Sequence, residues 1–367
     1  MFTQVLEQLM QYRGKNEVCL SLILPMARTL PERKQNPLLV KQRINQAKEI
    51  LKEKYPDVKA KELIDQLDKI DIDYKEILDG IGIFIAADLL ETVYFPFTVQ
   101  EKVVIDTSFE VRDLVWGKNQ WIQYWVLSLD QKGTRLFKGT GKDLEEIRDE
   151  NFPLEYQEQY QYPDRQRPAM SGDYVSDETL IKDERLKQYY RHLNKVVLTY
   201  IKKAPHPIAL TGVKEHFSLF LKIFEYPKLV VSQIHGNHEH QTAVHLAKEV
   251  WPTITSYLQK QHQDILIDIE NQVGKRGYLY GVEAAYRVAE EGRAEILVVE
   301  KNFTHPAYRS PIRDRLLFDI SEPNALNKKV DAVDDIIETV LTKNGKVVFM
   351  ENGELENYNH IAVKTRY

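Results

Sequence analysis

The densest collection of chemically capable side chains is His235-Gly236-Asn237-His238-Glu239-His240, with His245 close behind. Imidazoles and a carboxylate are zinc ligands in kind, but the spacing argues against a metal site. No His-Glu-x-x-His occurs, and His240 and His245, five residues apart, fall about 140° off a common helical face. The cluster reads as a polar loop that follows a strand over 228–234 and enters the next helix. No metal and no cofactor are implied.

Other reactive arrangements are incomplete. Gly133, Gly139 and Gly141 lack the lysine and hydroxyl of a phosphate loop, and no Gly-x-Ser-x-Gly elbow presents a nucleophile. The single cysteine, Cys19, lies inside an apolar run and reads as a core residue. Asp130, at a strand end, is a candidate for metal-assisted hydrolysis, but no partner carboxylate can be named beside it. No catalytic residue is assigned, and an enzyme is not the expectation.

The segment 151–183 is different. It is rich in Tyr, Gln, Pro, Arg and Asp, has no usable periodicity, and is long for a connection inside a compact domain. Guanidinium groups fork onto phosphates and tyrosine rings stack on unpaired bases, so Arg165, Arg167, Met170, Ser171, Gly172 and Tyr174 form the candidate RNA-binding loop. Arg185, Lys187 and Arg191 on the following helix are the expected contacts to an RNA backbone. Asp164, Asp173, Asp177 and Glu178 offset that charge, which is also the composition of a solvated surface loop.

Positioning these residues requires three α/β blocks. Over 1–115, an apolar strand at 18–24, a helix begun by Asn36-Pro37 as cap and first-turn proline, and short strands at 82–86, 91–95, 102–105 and 109–111 suggest an α+β domain. Over 116–255, a hairpin of strands at 121–129 and 133–137 precedes the long loop. Helices at 184–202, 213–224 and from 241 then alternate with strands at 208–210 and 228–234, implying parallel pairing. Over 256–367, helices and strands alternate again as an α/β/α domain, with strands at 296–299, 347–350 and 360–363.

Composition agrees with a soluble globular protein. The 367 residues are 29% charged and 43% hydrophobic with a net charge of −5, which excludes a strongly basic nucleic-acid-coating protein. The apolar run 81–90 is about half of what a bilayer span needs and contains Asp88. No leader is evident and one cysteine cannot form an internal disulfide, so a cytoplasmic location is expected.

The order of several short signatures resembles the bacterial archaeo-eukaryotic release factor family, relatives of the class-I peptide release factor and of Pelota. They are Val126-Leu127-Ser128-Leu129 leading into Thr134-Arg135-Leu136-Phe137, Pro207-Ile208-Ala209-Leu210-Thr211-Gly212, Gly281-Val282-Glu283-Ala284-Ala285 through Gly292 into Ile296-Leu297-Val298-Val299-Glu300, and Lys346-Val347-Val348-Phe349-Met350. The resemblance implies a family-specific N-terminal domain, a central RNase H-like domain and a C-terminal domain similar to the kink-turn-binding ribosomal protein fold. It also implies a ribosome, tRNA or other structured-RNA partner, in rescue, release or stalled-state protection. The release factor's Gly-Gly-Gln loop has its counterpart in 151–183, but this chain has no Gly-Gly pair, and Met170-Ser171-Gly172-Asp173 offers a single glycine. Binding without peptidyl-tRNA hydrolysis is therefore the expectation, with an RNase H-like metal-dependent hydrolase or a non-catalytic RNA or protein interaction module as alternatives.

Overall fold

The computed structural model describes residues 2–12, 17–55, 58–75, 77–130, 132–156, 174–271, 277–310, 315–318 and 328–366. They form an α/β protein of two compact units, Met1–Gln120 with Ile269–Tyr367, and Trp121–Asp268. The first and last parts of the chain therefore share one unit.

That discontinuous unit opens with α1 (Phe2–Met10), β1 (Cys19–Pro25), α2 (Asn36–Lys54) and α3 (Val58–Leu67). It continues with β2 (Gly80–Ala86), β3 (Leu89–Phe95), β4 (Lys102–Asp106) and α4 (Arg112–Gln120). The strands make an antiparallel sheet in the order β3-β2-β1-β4. Alternation sends Leu20, Leu22 and Leu24 of β1 into a core with Val40, Ala47, Leu51 and Leu63 of α2 and α3. Cys19 and Ile23 go to the other face and a second core, and Cys19 is fully buried.

Three sequence expectations change here. Residues 109–111 are not a strand but lead into α4, and Trp116-Gly117 lies inside that helix rather than at a break. Gly117 costs helix propensity but makes room, since a Cβ there would lie 3.1 Å from the Phe2 ring. Asn36 is the first residue of α2 and not its cap; its buried amide accepts from Ala27 N–H at 3.1 Å and donates to Ala27 O at 2.8 Å.

The continuous unit holds β5 (Gln123–Leu129), β6 (Gly133–Thr140), β7 (Asp143–Glu146), β8 (Leu154–Glu155), α5 (Tyr174–Ile201), β9 (Ile208–Gly212), α6 (Lys214–Ile223), β10 (Val230–His235) and the start of α7 (Ala243–Asn271). Its sheet runs β10-β9-β5-β6-β7, with β8 beside β6. The hairpin expected for β5 and β6 is antiparallel, and β5, β9 and β10 are parallel. One face packs on α5 and α6, the other on α7. Helix α5 begins at Tyr174, ten residues ahead of the expected start, because 174–183 carries too few apolar side chains to reveal its period.

The chain returns to the first unit with β11 (Tyr278–Tyr280), α8 (Val282–Glu290), β12 (Ala294–Glu300), β13 (Pro306–Arg309), β14 (Leu316–Leu317), β15 (Lys328–Asp331), α9 (Ala332–Thr342), β16 (Lys346–Met350) and β17 (Ile361–Thr365). One sheet is ordered β11-β17-β12-β16, and a smaller one, β14-β13-β15, had no sequence counterpart. Residues of α8, α9 and β12 join α1 and α4 in one continuous core.

Charges cross this core. The Asp334 carboxylate of α9 accepts backbone N–H groups of Val111 and Arg112 at 3.4 and 3.1 Å, capping α4 from a distant part of the chain. The Arg112 guanidinium donates to Phe303 O at 2.7 Å and to Asp331 at 2.6 Å, while Asp331 also caps α9 through Val333 N–H. Burial pushes the Asp334 carboxyl well above the ordinary carboxylate range, and Glu110 adds to this against Arg112 and Lys102. A carboxyl held above its unfolded value favours folding most at low pH, and that advantage is withdrawn as pH rises through the folded value. Urea titrations should show the wild-type stability advantage over Asp334→Asn greatest near the ordinary carboxylate value of about 4 and shrinking toward neutrality. A difference independent of pH would contradict this assignment. Asp334→Ala, which strips both amides of their acceptor, should cost about 1–3 kcal/mol.

Candidate functional site

The parallel strands β5, β9 and β10 end together, since Leu129 is in register with Gly212 and Gly212 with His235. Open α/β sheets bind ligands beyond such carboxyl ends. Asp130 follows β5 directly, the 236–242 stretch follows β10, and α6 starts two residues after Gly212. Gly212 has φ +139°, and a Cβ there would lie 2.3 Å from Leu129 O, so this bend admits only glycine.

Arg135 organises this end of the sheet. It is in register with Ser128, which is in register with Thr211, so a polar row crosses three strands. The Arg135 guanidinium donates to His238 O at 2.5 Å and to Gln241 O at 3.1 Å, tying the loop after β10 to β6. Carboxylates of Asp130 and Glu146 lie 3.9 Å away, and the Phe137 ring lies beneath at 5.2 Å. Asp130 is itself buried and accepts from Ser128 Oγ at 2.8 Å. His238 is buried, with Nε2 3.1 Å from Glu249, which also accepts from Gln241 Nε2 at 2.9 Å. The Gln241 and His238 hydrogen bonds hold the Glu249 carboxyl below its usual range.

The histidines singled out by sequence thus take separate roles. His235 ends β10 with its ring 5.2 Å from Phe217, His238 braces the loop, and His245 Nδ1 meets Thr242 Oγ1 at 2.9 Å. Among the described residues, no three His, Cys, Asp or Glu side chains converge as metal ligands. His216, whose imidazole is pushed down by burial, is 2.6 Å from the Tyr190 hydroxyl.

The candidate segment leaves from the same end. Residues of β8 pair with Gly133 and Thr134, and Tyr156 N–H donates to Lys132 O at 2.8 Å. From α5, the Tyr189 hydroxyl meets Thr134 Oγ1 at 2.7 Å and donates to Leu154 O at 3.1 Å, while its ring meets Tyr156 edge-on at 5.4 Å. Gly133 permits the close approach, as a Cβ would lie 2.5 Å from Leu154 O. The residues just before 157 are therefore fixed to the start of β6, as is α5 through Tyr189.

Arg165, Arg167, Met170, Ser171 and Gly172 lie outside the described residues. Tyr174 is the first residue of α5. Lys187 and Arg191 both pair with Glu184, at 3.6 and 3.3 Å, along an exposed face. Arg185 Nε is buried with no hydrogen-bond partner. Sequence reasoning missed the roles of Arg135, His238, Glu249 and Tyr189. The available signal was a charged Arg135 inside an otherwise apolar strand.

Replacing Arg135 by Met should destabilise the protein by about 2–3 kcal/mol in urea unfolding, because two carbonyls and two carboxylates lose their buried cation. Tyr189→Phe should cost about 1 kcal/mol and leave the fold intact by circular dichroism. Wild-type stability in either variant would refute the corresponding role.

Residues 123–293 match the model described as bacterial archaeo-eukaryotic release factor family 3. No curated protein matches the chain. Among solved structures, Saccharomyces cerevisiae Dom34, described as a translation termination-like factor interacting with Hbs1, is 13% identical over 81% of this chain and 82% of its own, with a TM-score of 0.42. Archaeal Pelota from a ribosome-bound model with ABCE1 is 10% identical over 100% and 94%, with a TM-score of 0.42. Archaeoglobus fulgidus Pelota is 16% identical over 78% and 79%, with a TM-score of 0.31. The stretch 123–293, which holds the central sheet, its helices and the candidate segment, belongs to the bacterial archaeo-eukaryotic release factor family.

Proposed function

We propose that this protein is a translation-associated factor that docks on the ribosome, or on tRNA or a related structured RNA. It acts in rescue, release or stalled-state protection. The observation that carries the reading is the family match over 123–293, the stretch that contains the Arg- and Tyr-bearing segment and its anchors on β6. The strand order β10-β9-β5-β6-β7, three antiparallel strands continued by two parallel ones, supports the RNase H-like reading of this region.

Arg165, Arg167 and Tyr174 contact RNA, Met170, Ser171 and Gly172 form the segment's tip, and Arg185, Lys187 and Arg191 add backbone contacts. Absence of any Gly-Gly pair in the sequence supports occupancy without Gly-Gly-Gln-type ester hydrolysis, which requires close backbone approach to the reacting carbonyl. Among the described residues, no helix is long and apolar enough to cross a membrane.

Co-sedimentation with ribosomes, empty and tRNA-loaded, is the direct test. The protein should sediment with them at low salt and be released as salt rises, because phosphate contacts release counterions. Arg165→Ala with Arg167→Ala should weaken that association. Failure to sediment in either ribosome state at low salt would refute the reading, and stimulated peptidyl-tRNA hydrolysis would refute its non-hydrolytic form.

A further inference from the structure

A strand at the border of a sheet leaves a row of main-chain donors and acceptors open, and proteins guard such borders with charge, bulges, brevity or cover. The borders among the described residues follow that rule, except for one. β7 carries Asp143, Glu145 and Glu146, β4 carries Lys102, and β15 carries Lys328 and Lys329. β10 is bulged between Val230 and Ser232, β11 has three residues, and β8 and β14 have two each. β16 receives Asn119 of α4 on its Val347 carbonyl at 2.8 Å. The exception is β3, a border strand of seven residues with no bulge, proline or lysine, whose only charge is Glu91.

Which groups of β3 stay open follows from its hairpin. Ala86 and Leu89 close the two-residue turn Ala87-Asp88 as a hydrogen-bonded pair, and bonded and non-bonded pairs alternate from there. Leu89, Glu91, Val93 and Phe95 therefore bond to β2, whereas Leu90, Thr92 and Tyr94 direct their N–H and C=O groups away from it. Among the described residues, no strand pairs with β3 on that side, and nothing hydrogen-bonds to the main chain of Leu90 or Thr92. The side chains divide in the same way. Leu89, Val93 and Phe95 enter the core shared with α1 and α4, while Tyr94 packs on the core of α2 and α3, and Leu90, on that same face, is 42% exposed.

Only another extended chain returns donors and acceptors in the alternation this border presents. A second β3 fits it, and charge selects the register. Parallel in-register pairing, or antiparallel pairing centred on Glu91, would set two carboxylates side by side. Centring on Val93 would set Leu90 against Pro96, which has no N–H to give. Centring on Thr92 sets Thr92 against Thr92 of the second copy, Leu90 against Tyr94, and Glu91 against Val93, with no like charges opposed. We infer that β3 is a self-association surface: two copies of this protein join antiparallel about Thr92 and extend the four-stranded sheet into one of eight strands. Leu90 and Tyr94 then cover one another across the two-fold axis, joining the α2–α3 faces of the two sheets. A single short border makes this a reversible dimer rather than an obligate one. The surface is independent of the ribosome reading.

Sedimentation velocity of the full-length protein, up to the highest concentration at which it stays soluble, reads the association. The wild type should move from the mass of one chain to that of two as concentration rises. Thr92→Lys and Thr92→Glu each set like charges face to face, so each alone should stay a single chain, and mixing the two should restore the dimer. Circular dichroism and urea midpoints matching the wild type certify the fold of each variant. Covalent capture gives a second readout. Bonded antiparallel partners stand about 5.5 Å apart at Cα, within disulfide range, and the sole native cysteine, Cys19, is fully buried. Thr92→Cys should therefore cross-link into a dimer on mild oxidation faster than Lys346→Cys, an exposed control on β16. A wild type that stays a single chain throughout, or Thr92→Cys cross-linking no faster than the control, would overturn the proposal. So would a dimer that persists in both charge variants, or charge variants that do not associate on mixing.

Discussion

A guanidinium inside a sheet has to find acceptors, and Arg135 finds them in main-chain carbonyls rather than in a neighbouring acid alone. Its bonds to His238 O and Gln241 O make the loop after β10 part of the sheet, although the two lie more than a hundred positions apart in sequence. Partial desolvation strengthens this binding, because the Arg135 side chain is only 18% exposed and water could not take over all of its inward-facing bonds. Asp130, Glu146, His238, Glu249 and Gln241 then arrange themselves around a fixed charge. The loop after β10 is thereby held to β6 at the carboxyl end of the parallel strands.

The discontinuous unit uses the same physics with opposite sign. Asp334 brings carboxyl acceptors to the start of α4, and Arg112 returns a positive charge to Asp331 and Phe303 O. Around these polar ties, aromatic packing supplies the apolar burial: Trp116 meets Phe349 edge-on at 5.5 Å while Lys301 lies 4.3 Å over the Trp116 ring. A buried carboxyl this costly is retained because two backbone donors and a helix dipole depend on it.

Much of the fold was legible because strands buried on both faces announce themselves as apolar runs, as β1, β2, β5 and β12 do. Helices α1 and α4 were not, since each is nine residues long and α4 contains a glycine whose purpose is to admit Phe2. The strands β13, β14 and β15 are too short to show alternation. At the candidate site the difficulty is of another kind. Arg135 was visible as a residue, but its partners are main-chain oxygens, which no pattern of side chains encodes. The histidine cluster, whose spacing already argued for a polar loop rather than a metal site, divides into separate contacts of His235, His238 and His245.

Asp331 both starts α9 and receives Arg112, a residue 219 positions earlier. On a translating ribosome the first 120 residues emerge long before that partner exists, whereas everything needed by Trp121–Asp268 is contiguous. The core of β1, β2, α2 and α3 is likewise self-contained, but α1 and α4 complete theirs only with α8, α9 and β12. A fragment ending before α9 would leave the N-terminal amides of α4 without the Asp334 acceptor, so pieces cut at the ends of the chain are poor stand-ins for the whole.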